Sequence, residues 1–115
     1  MRVLVADDDR DLAAALTDCV VACGHEVVDT VSGGGLAVIQ SFARHEPDAV
    51  LLDIQMPRCN GLTVCHALLS RKPDTRVILI SGRMEREHPF ISDSGAVAYL
   101  HKPVGLVELG AALAG

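Results

Sequence analysis

The chain has 115 residues, half of them hydrophobic but with only two Phe and one Tyr, so one domain around an aliphatic core is expected and two domains are excluded. Ten basic against fifteen acidic residues leave a formal net charge of −5, which argues against a nucleic-acid surface. No apolar run approaches the roughly 20 residues of a membrane span and no signal peptide precedes the first strand, so the expectation is a soluble, cytoplasmic protein.

The first predicted strand is Val3-Leu4-Val5-Ala6, running into Asp7-Asp8-Asp9. Asp9 can cap a helix from Arg10 to about Ala22, whose apolar positions Leu12, Leu16, Cys19, Val20 and Cys23 keep the helical period. Gly24 supplies the left-handed stop. His25 to Thr30 alternates as a second strand, and its Glu26 and Asp29 suit a sheet edge. Ser32 is expected to cap a second helix whose first turn is Gly33-Gly34-Gly35 and whose buried side carries Leu36, Ile39 and Ala43. Pro47-Asp48 ends it and leads to a third strand, Ala49 to Leu52.

Asn60-Gly61 is turn chemistry ahead of a third helix with Leu62, Cys65, Leu68 and Leu69. Pro73-Asp74 precedes a fourth strand, Arg76 to Ile80. The stretch from Arg83 to Ser94 is charged early, contains Pro89, and has room only for a short helix around Phe90 and Ile91. A fifth strand is expected at Val97 to Leu100, and a last helix from Gly105 with Leu106, Leu109 and Leu113. Five strands alternating with helices, without long linkers or repeats, make an α/β fold with a parallel sheet covered on both faces. The cysteines Cys19 and Cys23 read as small core filler in a reducing compartment. A zinc site using His25 or Cys65-His66 lacks a C-x-x-C knuckle, and disulfides are not expected.

The polar residues gather at strand ends. In Val50-Leu51-Leu52-Asp53-Ile54-Gln55-Met56-Pro57 a buried run delivers Asp53 to the carboxyl edge, where open α/β sheets place their chemistry. Strand one delivers Asp7 and Asp8 there, strand four Ser81, and strand five His101-Lys102-Pro103. Three carboxylates meeting at one edge repel one another, and Mg²⁺ would relieve that cost because it takes oxygen ligands and keeps several waters. A nearby Lys and a hydroxyl can hold a second, anionic oxygen group. Together these are the means to stabilise a transferring phosphoryl group, where catalysis is mostly positioning and charge neutralisation. Blander roles compete: Asp9 as a cap only, Ser81 as a turn cap, Lys102 as a solvated loop charge, Tyr99 as a half-buried strand aromatic, and the five histidines as surface residues.

End to end, the chain resembles a response-regulator receiver domain of two-component signalling. The resemblance rests on Asp7-Asp8, on Leu51-Leu52-Asp53-Ile54-Gln55-Met56-Pro57, on Asn60-Gly61, on Ser81, on Gly95-Ala96, on Tyr99 and on Lys102-Pro103. It implies a flavodoxin-like (βα)5 domain with strand order 2-1-3-4-5. It further implies that Asp53 takes a phosphoryl group from a phosphohistidine on a sensor histidine kinase or histidine phosphotransfer protein. Asp8, Asp53 and the Gln55 carbonyl would bind Mg²⁺, with Asp7 acting mainly through water. Lys102 would pair with the phosphoryl oxygens. The Ser81 hydroxyl would move to bond one of them and free space for Tyr99 to rotate, so the readout surface would be the face of strands four and five.

Some positions depart from the family pattern. Gly82 stands where Ala is usual, which loosens the loop after Ser81. The resemblance implies that Gln55 and Arg83, two residues beyond Asp53 and Ser81, flank the path of the attacking water, and they are expected to set the lifetime of the phosphoaspartate. No effector domain is expected within these residues, so the expectation is either a free-standing receiver or a fragment of a larger regulator or hybrid kinase, with a homodimer possible through the strand-four to strand-five face. Two further readings compete. Asp7-x-Asp9 resembles the first motif of haloacid-dehalogenase-like phosphatases, but Arg10 stands where Thr or Val is preferred and Asp53 would have no role. A phosphorylation-independent interaction module is opposed by the intact set of Asp8, Asp53, Ser81 and Lys102. A flavodoxin is weaker, since acids after strand one would repel a bound phosphate.

Overall fold

The computed structural model describes residues 1–54, 60–82 and 95–114. In chain order these form β1 (Arg2–Ala6), α1 (Arg10–Ala22), β2 (Glu26–Val31), α2 (Gly35–His45), β3 (Ala49–Asp53), α3 (Gly61–Arg71), β4 (Arg76–Ser81), β5 (Ala98–His101) and α4 (Leu106–Ala114). All four strand pairings are parallel, and the sheet order is β2-β1-β3-β4-β5. The short helix expected around Phe90 and Ile91 lies outside the described residues.

The apolar runs of β1, β3 and β4 are buried on both sides, and their side chains alternate between two cores. Val3, Val5, Ala49, Leu51, Ile78 and Ile80 face Ala13, Leu16 and Val20 of α1 and Leu109 and Leu113 of α4. Leu4, Ala6, Val50, Leu52, Val77 and Leu79 face Val38 and Phe42 of α2 and Val64, Cys65 and Leu68 of α3. The edge strands β2 and β5 are only half-buried, as the charges of Glu26 and Asp29 foretell for β2. The doubly wound topology therefore brings the carboxyl ends of β1, β3 and β4 together at the middle of one edge.

Local signals act where expected at α1. The Asp9 side chain accepts from the Asp11 and Leu12 amides, and Gly24 takes φ +88° just past the C-cap. Asn60 caps α3 in the same way, accepting from Leu62 and Thr63 amides, so it is more than turn chemistry. The second helix differs from expectation. Gly34, not Ser32, is its N-cap, with φ +98° and no side-chain bond, and the helix opens at Gly35. Its buried positions are Gly35, Val38, Ser41 and Phe42; of the expected set Ile39 is half-buried against the same core, whereas Leu36 is 71% exposed and Ala43 is also exposed. Leu36, Ile39 and Ala43 and Gly35, Val38 and Phe42 have the same spacing, one residue and about 100° apart. Burial of the large Phe42 ring selects the second phase. Leu106, at the first turn of α4, is likewise half-exposed, while Leu109 and Leu113 are buried. The cysteines Cys19, Cys23 and Cys65 form no disulfide, with Cys19 packed at the α1 core margin and Cys65 fully buried.

Candidate functional site

Asp53 is the last residue of β3 and is 2% exposed. The next amide, of Ile54, continues the ladder by donating to Ile80 O, which ties the end of β3 to β4. On the other side, the Asp7 amide donates to Val31 O, extending β1 against β2 and carrying the Asp7 side chain fully inside. Asp8, the next residue, is exposed. Ligand atoms of Asp7, Asp8 and Asp53 all lie within 4.8 Å of one another.

The facing cation is Lys102, in the turn after β5. Its amide donates to Ser81 O at 2.8 Å, so the end of β4 fixes the backbone from which the side chain reaches in. Lys102 Nζ lies 3.1 Å from Asp53 Oδ2 and 3.0 Å from Asp7 Oδ2. Burial alone would push the ammonium pKa down, but the hydrogen bonds and charges of Asp7 and Asp53 outweigh it and hold Lys102 above its ordinary value. Ser81 is buried at the end of β4, in register with His101 of β5. Tyr99 is half-buried in register with Leu79, and its ring meets that of His101 edge to face at 5.0 Å. Gln55 lies outside the described residues, as do Met56, Pro57 and Arg83.

The donor set suits a hard divalent cation. Asp7 Oδ1 accepts from the Asp9 amide, while the buried Asp7 Oδ2 faces the Lys102 ammonium at 3.0 Å. Three carboxylates against one ammonium leave surplus negative charge in a largely dry place, and carboxylate oxygens this close are what Mg²⁺ or Ca²⁺ takes as ligands.

Two features were not anticipated from the residues alone. Lys102, expected to pair with phosphoryl oxygens, bridges both buried acids, and the signal for that is spatial: β1 and β3 are adjacent in the sheet. Arg10, singled out only as an unfavourable match to another motif, lines a cavity of about 460 Å³ together with Asp7, Asp18, Thr30 and Ser32. A cation in the first turn of a helix, against the macrodipole, is the sequence signal that could have marked it. Of the five histidines, His66 and His101 are exposed as expected. His25 Nδ1 instead bonds the Met1 amine at 2.9 Å, and His45 stands 3.7 Å from Asp29.

A doubly wound sheet with paired buried acids and a lysine at its carboxyl edge forms a site whose carboxylates could hold a cation beside an ammonium. The family model described as the response regulator receiver domain matches residues 3–114, and the chain belongs to that family, the receiver domains of two-component response regulators. It is 36% identical over 110 residues to the response regulator MprA of Mycobacterium leprae, covering 95% of this chain and 47% of the relative. It is 40% identical over 112 residues to a protein-glutamate methylesterase/protein-glutamine glutaminase of Archaeoglobus fulgidus, covering 95% of this chain and 32% of that protein. The chain thus spans about half the length of the first relative and a third of the second. Among solved structures, the receiver domain of a putative response regulator NarL from Mycobacterium tuberculosis matches with TM-score 0.84 and 30% identity, over 98% of this chain and 92% of that one. A chain of the CheX-CheY-BeF3-Mg²⁺ complex from Borrelia burgdorferi matches with TM-score 0.87 and 25% identity, over 98% and 86%. Among the described residues no helix is long and apolar enough to cross a membrane.

Proposed function

We propose that the chain forms one cytoplasmic receiver domain that accepts a phosphoryl group on Asp53 from a phosphohistidine of a sensor histidine kinase or histidine phosphotransfer protein. The observation that carries this reading is the burial of Asp53 at the end of β3, with Lys102 Nζ 3.1 Å away and the acids Asp7 and Asp8 beside it. An Asp53 oxygen forms the new P–O bond as the P–N bond of the donor imidazole breaks, and the leaving nitrogen takes up a proton. Asp7, Asp8 and Asp53, with the Gln55 carbonyl, would hold Mg²⁺. That ion, when bound, neutralises charge between the carboxylates and the phosphoryl oxygens. The relative from Borrelia burgdorferi, whose complex carries Mg²⁺ and BeF3, supports this choice of cation.

Lys102 then exchanges a carboxylate oxygen for a phosphoryl oxygen, which needs only a small movement because it already faces Asp53. Ser81 supplies a hydroxyl to the same group, and Tyr99 follows it as the switch read on the β4–β5 face. Hydrolysis returns the Asp53 carboxylate and inorganic phosphate, at a rate set by Gln55 and Arg83. The domain turns over only its own phosphoryl group and hands the signal to an output domain or partner, or to a second copy through the β4–β5 face.

The test is incubation with Mg²⁺ and acetyl phosphate followed by mapping of any acyl phosphate by mass spectrometry. The expected result is a Mg²⁺-dependent adduct on Asp53 that is absent from Asp53→Asn. An adduct on Asp7 would instead favour phosphatase-like chemistry. No adduct in protein shown to bind Mg²⁺ would favour a phosphorylation-independent interaction module.

A further inference from the structure

We propose that Arg10 is a positioning residue for the phosphodonor, presenting a positive charge to an anionic donor in the groove that it shares with Asp7. This rests on the reading of Asp53 as phosphoacceptor. The groove, about 460 Å³, runs between α1 and the carboxyl end of β2, and Asp7 connects it to the acidic cluster. Arg10 is exposed and occupies the first helical position of α1. A cation there opposes the helix macrodipole, and no ion pair or side-chain hydrogen bond holds it among the described residues, although Asp7, Asp8, Asp9 and Asp11 all stand within three residues of it. A cation that stands among acids without a fixed partner, beside a groove leading to the acidic cluster, is free to meet an anionic ligand.

Charge counting shows what it contributes. Three carboxylates, Lys102 and Mg²⁺ sum to zero, so a dianionic donor meets no net attraction from the loaded cluster itself, and Asp18, farther along α1 in the same groove, repels it. Arg10 offsets the Asp18 charge and is the one cation among the described residues that line the groove. The same charge opposes entry of Mg²⁺, so its removal has two effects of opposite sign. Loss of a structural residue would move both properties the same way.

The experiment compares the parent protein with Arg10→Gln and Arg10→Lys. In Arg10→Gln the half-saturating acetyl phosphate concentration for Asp53 phosphorylation rises about two- to fourfold, the effect of one partly screened charge. The Mg²⁺ dissociation constant, measured by calorimetry without donor, falls by a similar factor. Arg10→Lys restores both, and high salt erases both. The inference is overturned if Arg10→Gln changes neither constant, if both move in the same direction, or if Arg10→Lys behaves as Arg10→Gln. If the parent itself takes no phosphoryl group on Asp53, it is the phosphoacceptor reading that fails.

Discussion

At the amino-terminal edge of the sheet, Arg2, Asp48 and Lys72 close loops and keep their charges near water. The Arg2 amide donates to Asp48 Oδ2 at 2.9 Å, the Asp48 amide returns a bond to Arg2 O, and Arg2 Nη1 reaches His45 O at 2.7 Å. Lys72 Nζ donates to Pro47 O at 3.0 Å. At the carboxyl edge the same residue types are used in the opposite way. Asp7 and Asp53 are 0% and 2% exposed and share one ammonium, with a third acid beside them. One edge spends its polar groups on backbone that would otherwise be unsatisfied. The other concentrates three carboxylates around one ammonium among the described residues, and so makes stability depend on the balance of charge there.

The largest expected effect follows from that surplus. Lys102→Met leaves Asp7 and Asp53 buried without their cation and should cost about 3 kcal/mol in metal-free protein, read by urea unfolding with a chelator. Adding Mg²⁺ should narrow the gap, because the ion replaces the missing counter-charge. Since the folded-state value of Lys102 is raised, its contribution is fully present below the ordinary lysine value and fades only as pH rises through the folded one. The deficit of Lys102→Met should therefore be constant across neutral pH and shrink in strong alkali. A metal-free Lys102→Met protein as stable as the parent would remove the contrast between the edges.

Glycines sharpen the comparison. A Cβ on Gly61 would sit 2.6 Å from Ile54 Cα, so α3 can approach the end of β3 only with a hydrogen there. Gly61→Ala should cost about 2 kcal/mol and lower the yield of Asp53 adduct, since the residue it displaces follows Asp53 directly. At the opposite edge a Cβ on Gly24 would meet nothing within 4 Å, and the only obstacle is φ +88°. Gly24→Ala should cost about 1 kcal/mol and leave the adduct yield unchanged. An equal loss of adduct in both variants would show that general destabilisation, not the approach at Ile54, controls the site.

How far the residues alone foretell this molecule depends on how many neighbours decide each feature. The buried strands are legible because a continuous apolar run bounded by turn residues has one interpretation here, and strand ends then deliver Asp7, Asp53 and Ser81 to one edge. Caps such as Asp9 are legible because the interaction is local. The buried face of α2 is not, because Leu36, Ile39 and Ala43 and Gly35, Val38 and Phe42 fit the helical period equally. Only packing of Phe42 against the sheet separates them. The double contact of Lys102 is illegible for a related reason: it joins three strands remote in sequence, and spacing along the chain carries no distance across the sheet.

The smallest effect belongs to the exposed edge. The hydrogen bond from the Arg2 amide does most to hold the Asp48 carboxyl below its ordinary value; burial opposes it, and the charge of Lys72, at 3.9 Å, assists it. A depressed carboxylate stabilises the fold above its unfolded value and loses that contribution as pH falls through the folded one. Asp48→Asn should therefore cost a few tenths of a kcal/mol near neutral pH, the range of screened surface interactions. That difference should vanish in acid, below the depressed value. It should also be insensitive to Mg²⁺, unlike the deficit of Lys102→Met, because Asp48 lies at the far end of the strands from the acidic cluster. A Mg²⁺-dependent Asp48→Asn deficit would mean that the two edges are coupled through the sheet and that the division drawn between them is wrong.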